Sequence, residues 1–327
     1  MKKLRVILCA VLALLLCCTI FPSYEIYADT ANAMVYVGGY PVGISLDVGG
    51  LLVENVTGVE TEYGTAYVEG LCKGDIIKTI GGKSVVDVDD ITDILTDDET
   101  EIDIVRDGRQ IKIKVKPIAE AYTGKLRLGV KIKDKLYGVG TVCFVRADNS
   151  YAALGHEIYD GETDVHIPFA GGHIHACKVI GIKQGKKGEA GAILASLIPD
   201  KVYGTVRCNN SFGIAGEFTA EFDKSELLPL ADRSEVVVGD AKIKTTVDGN
   251  AEYFDIEIIK ASHQSGRKEK GLVFRVTDKR LLDKTGGVVR GMSGSPIIQN
   301  GKVIGAVTHV FLNDFTKGYG VYADCLN

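Results

Sequence analysis

Behind an apolar run from Val6 to Phe21, hydrophobic and polar positions follow two rhythms. From residue 35 to 117, short alternating segments are broken by glycine pairs, which predicts short strands, with one helical piece near Asp89 to Leu95. Within this part, alternation after the Gly74-Asp75 turn buries Ile76 and Ile80 on one strand face. From about Thr123 to Asn327 the alternating segments become more numerous, with turn signals at roughly ten-residue spacing, the rhythm of a β-sandwich or barrel. Gly138 to Val145, Glu235 to Thr246, Ala251 to Ile259 and Gly271 to Thr277 are examples. Asn300-Gly301, between Ile297-Ile298 and Val303-Ile304, is a strong hairpin signal. Roughly 200 residues of this kind suit a pair of small barrels.

Composition narrows the class. The chain has 327 residues, 46% hydrophobic and 25% charged, a globular balance with room for two domains. A net charge of -5, with no basic block longer than Lys186-Lys187, excludes an electrostatic footprint for nucleic acid. Met1-Lys2-Lys3-Leu4-Arg5 and the apolar run read as the n- and h-regions of an export signal, and Ile26-Tyr27-Ala28 offers a cleavage point after Ala28. Residues 1–28 are therefore expected to be a signal peptide or signal anchor, and 29–40 a linker that is polar around Asp29 to Ala33. The expected location is across, or anchored to, a membrane. Leu16 before Cys17 is too large for a lipoprotein cleavage box. Of eight cysteines, Cys9, Cys17 and Cys18 lie in the apolar run; the remaining Cys72, Cys143, Cys177, Cys208 and Cys325 are scattered and odd in number, so at most one disulfide is expected.

The most chemically informative stretch is Gly291-Met292-Ser293-Gly294-Ser295-Pro296. A small-residue turn can expose a serine nucleophile, with the backbone N–H groups of Gly291 and Ser293 as oxyanion donors. Such a serine needs a base. His156 follows Ala153-Leu154-Gly155 at a strand-to-loop transition and is the first choice; His309, close in sequence to the serine turn, is its rival. His173, His175 and Cys177 share a strand face and could hold zinc, but nothing supplies a confident fourth ligand, and no metal or cofactor is expected.

Two resemblances sharpen this reading. Pro41-Val42-Gly43-Ile44, followed by Gly70-Leu71-Cys72-Lys73-Gly74-Asp75-Ile76-Ile77-Lys78-Thr79-Ile80-Gly81-Gly82-Lys83, resembles a PDZ domain spanning 41–118. It implies a groove that adds a peptide as an extra strand, the N–H groups of Val42, Gly43 and Ile44 cradling a terminal carboxylate; the alternative is a plain spacer. The Ala153–His156 segment, Thr285 to Lys302 and Gly305 to Val310, behind that region and the apolar run, look like the stage IV sporulation protein B family over essentially the whole chain.

That second resemblance implies a mostly β protein whose residues 119–327 form a chymotrypsin-like double β-barrel serine peptidase. His156 would be the general base, Ser293 the nucleophile and Asp278 the orienting acid, with Ser295 as the alternative serine. Two departures bear on this: Met292 stands where digestive enzymes carry aspartate, and Asp278 lies only fifteen residues before Ser293, leaving Asp160 as a fallback acid. The implied role is an endopeptidase of endospore-forming bacteria that cleaves itself and a regulator of an intramembrane protease, in the space between mother-cell and forespore membranes. The competing class is a catalytically silent PDZ scaffold that docks peptide partners at the membrane surface.

Overall fold

The structure, a computed structural model, describes residues 32–326 except 92–93, 162, 164–168, 187 and 265. The apolar run and its cleavage point lie outside the described residues, and the expected linker 29–40 needs correction in part, because Met34–Val37 is a strand paired with Val130–Arg146, with Val35 and Val37 buried. The helical piece expected at Asp89 to Leu95 begins as a 3-10 turn, Val88–Ile91, and residues 92–93 of it are likewise outside.

The strand Pro41–Val56 organises the first half of the molecule. Its Val42, Ile44, Leu46 and Val48 are buried, and it pairs with Val130–Arg146 along its length, from Pro41 opposite Thr141 to Val56 opposite Val130. Over Val42 to Leu46 its other edge pairs with Gly172–Lys183. The circuit continues through Ala192–Asn210, Gly213–Phe218 and Ser150–Ala153 and returns to Val130–Arg146, so these strands close a barrel. Gly239–Asp248, Asn250–Ala261, Leu272–Val276, Lys317–Tyr322, Lys302–Val310 and Pro296–Gln299 close a second one. The hairpin signal at Asn300-Gly301 corresponds to the turn between its fourth and fifth strands in sequence, Pro296–Gln299 and Lys302–Val310, with both residues at positive φ.

Between Val56 and Val130 the chain builds a smaller β unit from strands Ile76–Ile80, Thr100–Arg106 and Arg109–Val115, carried on the far ends of the two long strands. It has its own core of Leu51, Val53, Ile77, Ile80, Ile102, Ile104 and Val115. Asp75, fully buried, accepts from both Nε and Nη2 of Arg106 at 2.7 and 2.8 Å and from the Cys72 N–H. The Gly-Asp of the sequence motif is thus a structural tie, satisfying a charge that would be costly to bury alone.

The expected carboxylate cradle needs correction. Val42, Gly43 and Ile44 sit in mid-strand, opposite Gly140, Val139 and Gly138 on one side and Ala176, His175 and Ile174 on the other. A strand flanked on both sides spends its N–H groups in the two ladders and has none to offer a ligand. Gly43 is small because a Cβ there would lie 2.5 Å from the Leu197 side chain. Residues 41–56 accordingly belong to the barrel, and the small β unit is inserted into that barrel instead of preceding it.

The barrels meet along Thr141 to Val145, buried on both faces. A bulge between Val142 and Phe144 breaks the alternation there: Val142 and Val145 join the first barrel's core, while Cys143 and Phe144 join the second's.

Candidate active site

The Gly291–Pro296 turn enters the second barrel from the interface. Gly291 and Gly294 both have φ of 94°, a left-handed conformation that other residues adopt only with strain. The turn is pinned to the first barrel by Thr141, whose N–H donates to Ser293 O at 2.9 Å and whose Oγ1 donates to Gly291 O at 2.8 Å. Gly294 N donates to Val307 O, Ser295 N to Met292 O and Met292 N to Val289 O. Among the described residues, the N–H groups of Gly291 and Ser293 have no main-chain acceptor. Ser295 is fully buried and among the described residues its Oγ has no partner, so it cannot reach a substrate, whereas Ser293 is partly exposed.

His156 is carried by the loop after Ser150–Ala153. Leu154 and Gly155, at φ of 70° and 77°, turn the chain sharply, and a Cβ on Gly155 would lie 2.9 Å from Thr308 Cγ2. The loop is therefore seated directly on the strand Lys302–Val310. His156 Nδ1 lies 3.0 Å from the Glu157 carbonyl, and donating there leaves Nε2 with its lone pair free. The His156 ring is 5.2 Å from that of His309, centroid to centroid. Ser293 Oγ donates to Thr308 O at 2.8 Å. Ser293, Thr308, His309 and His156 thus form one cluster at the barrel interface. Burial, then the charges of His156 and Lys270, hold the His309 imidazole down to about 4, so it is neutral at neutral pH.

Neither expected acid joins the cluster. Asp278 caps the helix Lys279–Thr285, accepting from Arg280 N at 2.8 Å, Arg280 Nη2 at 2.8 Å and Asp255 N at 3.3 Å. Hydrogen bonds from Arg280 hold its carboxyl below the usual range despite opposition from burial. The short helix, the Gly286-Gly287 turn and the segment from Val288 to Arg290 separate Asp278 from the serine turn, and among the described residues neither histidine is a hydrogen-bond partner of Asp278. Asp160 accepts from Lys133 Nζ at 2.6 Å and Thr163 N at 2.9 Å; burial raises its pKa, but these bonds outweigh that and keep it below the ordinary range.

Asp278→Ala is expected to cost about 1–2 kcal/mol through the lost helix cap. Because its folded pKa is depressed, this contribution exists above the ordinary carboxylate pKa and fades as the pH falls through and below about 4. Denaturant melts at pH 7 and 3.5 check this, and the imidazole pKa in the rate profile is expected to stay in place.

The possible zinc strand is engaged elsewhere. His175 bonds Ser45 Oγ through Nε2 at 2.8 Å and Pro199 O through Nδ1 at 2.9 Å, and among the described residues no cluster of three or more His, Cys, Asp or Glu side chains could hold a metal. Thr141 and Thr308 were missed from the sequence. Their site contacts run partly or wholly through main-chain groups, for which side-chain identity gives no signal.

A family model described as SpoIVB peptidase S55 matches residues 124–326. A search of curated proteins returns no match. Among solved structures, the active form of the Rv3671c protease from M. tuberculosis aligns at 18% identity over 57% of this chain and 70% of that one, with a TM-score of 0.34. Its inactive form aligns at 18% over 57% and 80%, with a TM-score of 0.33.

Proposed function

This chain belongs to the SpoIVB peptidase S55 family and is a serine peptidase, and on that premise we propose that Ser293 is its nucleophile and His156 its general base. Ser293 Oγ attacks the substrate carbonyl carbon while His156 Nε2 takes its proton, and the Gly291 and Ser293 N–H groups hold the oxyanion. His156 then delivers that proton to the leaving amine, and water hydrolyses the acyl-enzyme by the same steps in reverse roles. The observation that carries the reading is a partly exposed serine between two left-handed glycines, with N–H groups unspent on either side of Met292, seated against a histidine loop from the other barrel. At rest the serine proton is directed at Thr308 O, so Ser293 must rotate before His156 can take it.

The biological role we assign is signalling between the two compartments of a sporulating cell, by cleavage of the enzyme itself and of a regulator of an intramembrane protease. The family's description supports the sporulation setting. The charged start and apolar run support export or membrane anchoring through residues 1–28, and the polar stretch around Asp29 to Ala33, ahead of the strand Met34–Val37, is where self-cleavage is expected. The inserted β unit, whose sequence resembles a PDZ domain, is proposed to dock protein partners, by a surface other than Val42 to Ile44.

The test uses the full chain purified from membranes, treated with a fluorophosphonate probe and followed by mass spectrometry. One label on the Ser293 peptide and new termini between residues 22 and 33 are expected. A folded protein that takes no label and yields no fragments would favour the silent scaffold.

A further inference from the structure

The edge of the second barrel beside the two histidines carries a charge that the reaction above leaves unused. Tyr319 lies on Lys317–Tyr322 between Gly318 and Gly320, where an added Cβ would meet the core side chains of Phe274 at 2.6 Å and Ile297 at 2.8 Å. Alternation therefore turns the Tyr319 side chain to the outside of the barrel. There its ring stacks on that of Phe311 at 4.3 Å and 15°, and Lys270 Nζ lies 5.1 Å from its centroid. The neighbouring strand is Lys302–Val310, with Val310 opposite Gly318, and it brings His309, packed on His156, to the same edge. Lys270 is close enough for its charge to act on the His309 imidazole, after burial and the charge of His156. Phe311, Tyr319 and Lys270 thus form a shelf one side chain away from the general base.

Lys270 is exposed, and among the described residues no carboxylate pairs with it. Asp314, in the loop between the two strands, is taken by Lys317 at 2.7 Å. A lysine ammonium on a free stem samples many positions; an aromatic face restrains it without neutralising it, so its charge stays available to a ligand. On the oxyanion side of the site, exposed Arg290 stands next to Gly291 and likewise has no ion-pair partner among the described residues. A chain of net charge -5 therefore sets cations on the borders of its site.

The same chain contains a complement. Between Arg5 and Lys73 there is no lysine or arginine, and the stretch ahead of Met34–Val37, where self-cleavage is expected, holds Glu25 and Asp29. We propose that the Lys270–Tyr319–Phe311 shelf is a substrate subsite for an acidic side chain within about three residues of the scissile bond, and that Glu25 or Asp29 of the chain's own leading segment occupies it. An extended peptide advances about 3.3 Å per residue, so two or three positions carry a side chain past the two imidazole rings, 5.2 Å apart. This inference rests on the reading of Ser293 and His156 as nucleophile and base.

The experiment gives the full chain a synthetic peptide of residues 22–36, and versions with Glu25→Gln, Asp29→Asn or both. Cleavage is followed by mass spectrometry for the parent, Lys270→Gln, Lys270→Glu and Lys83→Gln, the last removing one exposed charge from the inserted unit. In the parent, kcat/KM for the acidic peptide is expected to exceed that for the doubly neutral one about fivefold, and the ratio should fall toward one in about 1 M salt. The single changes show which acid carries the effect. The ratio should be close to one in Lys270→Gln, below one in Lys270→Glu and unchanged in Lys83→Gln. Each ratio is taken within one enzyme, so a variant that folds incompletely lowers both rates and keeps its ratio. A parent indifferent to the neutral changes, or a Lys270→Gln enzyme that keeps the parent's ratio, overturns the proposal. So does a parent that takes fluorophosphonate on Ser293 yet cleaves none of the peptides. A parent that does not label at Ser293 overturns the reading of nucleophile and base, and the subsite falls with it.

Discussion

Ser293→Ala is expected to remove peptide hydrolysis and phosphonate labelling, with kcat falling about 10⁴- to 10⁶-fold, while the protein stays folded. The size follows from the role: without the hydroxyl no acyl-enzyme forms, and the oxyanion donors are left with water as the attacking group. The fold should be nearly indifferent, since among the described residues Ser293 Oγ makes one hydrogen bond, to Thr308 O, and the side chain is partly exposed. A stability change of about 1 kcal/mol or less is expected. Ser295→Ala supplies the contrast. Its hydroxyl is fully buried without a partner, so removing it deletes an unsatisfied group and should leave stability level or slightly higher, with activity retained. Labelling and thermal melts of the two variants measured together decide the matter; loss that tracks Ser295 instead would move the nucleophile by two residues.

Gly294→Ala should be the most damaging change that alters no reacting group. A Cβ at this position would lie 1.9 Å from Thr141 O and 2.5 Å from Leu154 N, and both are backbone atoms that no side-chain rotation can clear. The φ of 94° adds conformational strain. Relief requires the nucleophile turn to lift off the first barrel, breaking the Thr141 hydrogen bonds to Ser293 O and Gly291 O and separating Ser293 from the His156 loop. A loss of about 4 kcal/mol or more, together with loss of labelling, is expected. Gly249→Ala separates clash from strain: Gly249 has a φ of 78° in the turn between Gly239–Asp248 and Asn250–Ala261, with open space where its Cβ would go. It should cost only about 1–2 kcal/mol and leave labelling intact. Denaturation midpoints that coincide for the two variants would mean that the turn is not pressed against the first barrel.

Much of the site's local chemistry was legible in the chain. The glycines of Gly291-Met292-Ser293-Gly294 announce a turn with unusual backbone angles, and the structure has both in the left-handed region. Gly155 before His156 carried a similar message, though it did not reveal that Leu154 shares the conformation. A carboxylate at a helix start and a carboxylate beside a catalytic imidazole look alike in one dimension, and in the structure the hydrogen bonds of Asp278 go to Arg280 and Asp255. Arg280, two residues after Asp278, was the available clue that the charge is satisfied locally. His309 was considered only as a competing base, since neither its contact with His156 nor its desolvation can be seen in the residues around it.

What the sequence determined by itself is whatever depends on near neighbours: strand rhythm, the Asn300-Gly301 hairpin, the exposed serine turn and the family to which the chain belongs. Side-chain alternation and backbone preference act over a few residues and so leave their mark there. The tertiary structure alone decided which edges pair and which groups meet. Val42-Gly43-Ile44 reads the same as a ligand loop or as a buried central strand, and pairing with residues near 140 and 175 makes it the latter. The contacts that build the site span 150 residues between Thr141 and Gly291 and a comparable distance between His156 and His309. Such contacts are selected by closure of the two barrels against each other, where shape and burial of the whole interface set the partners and no local pattern encodes them.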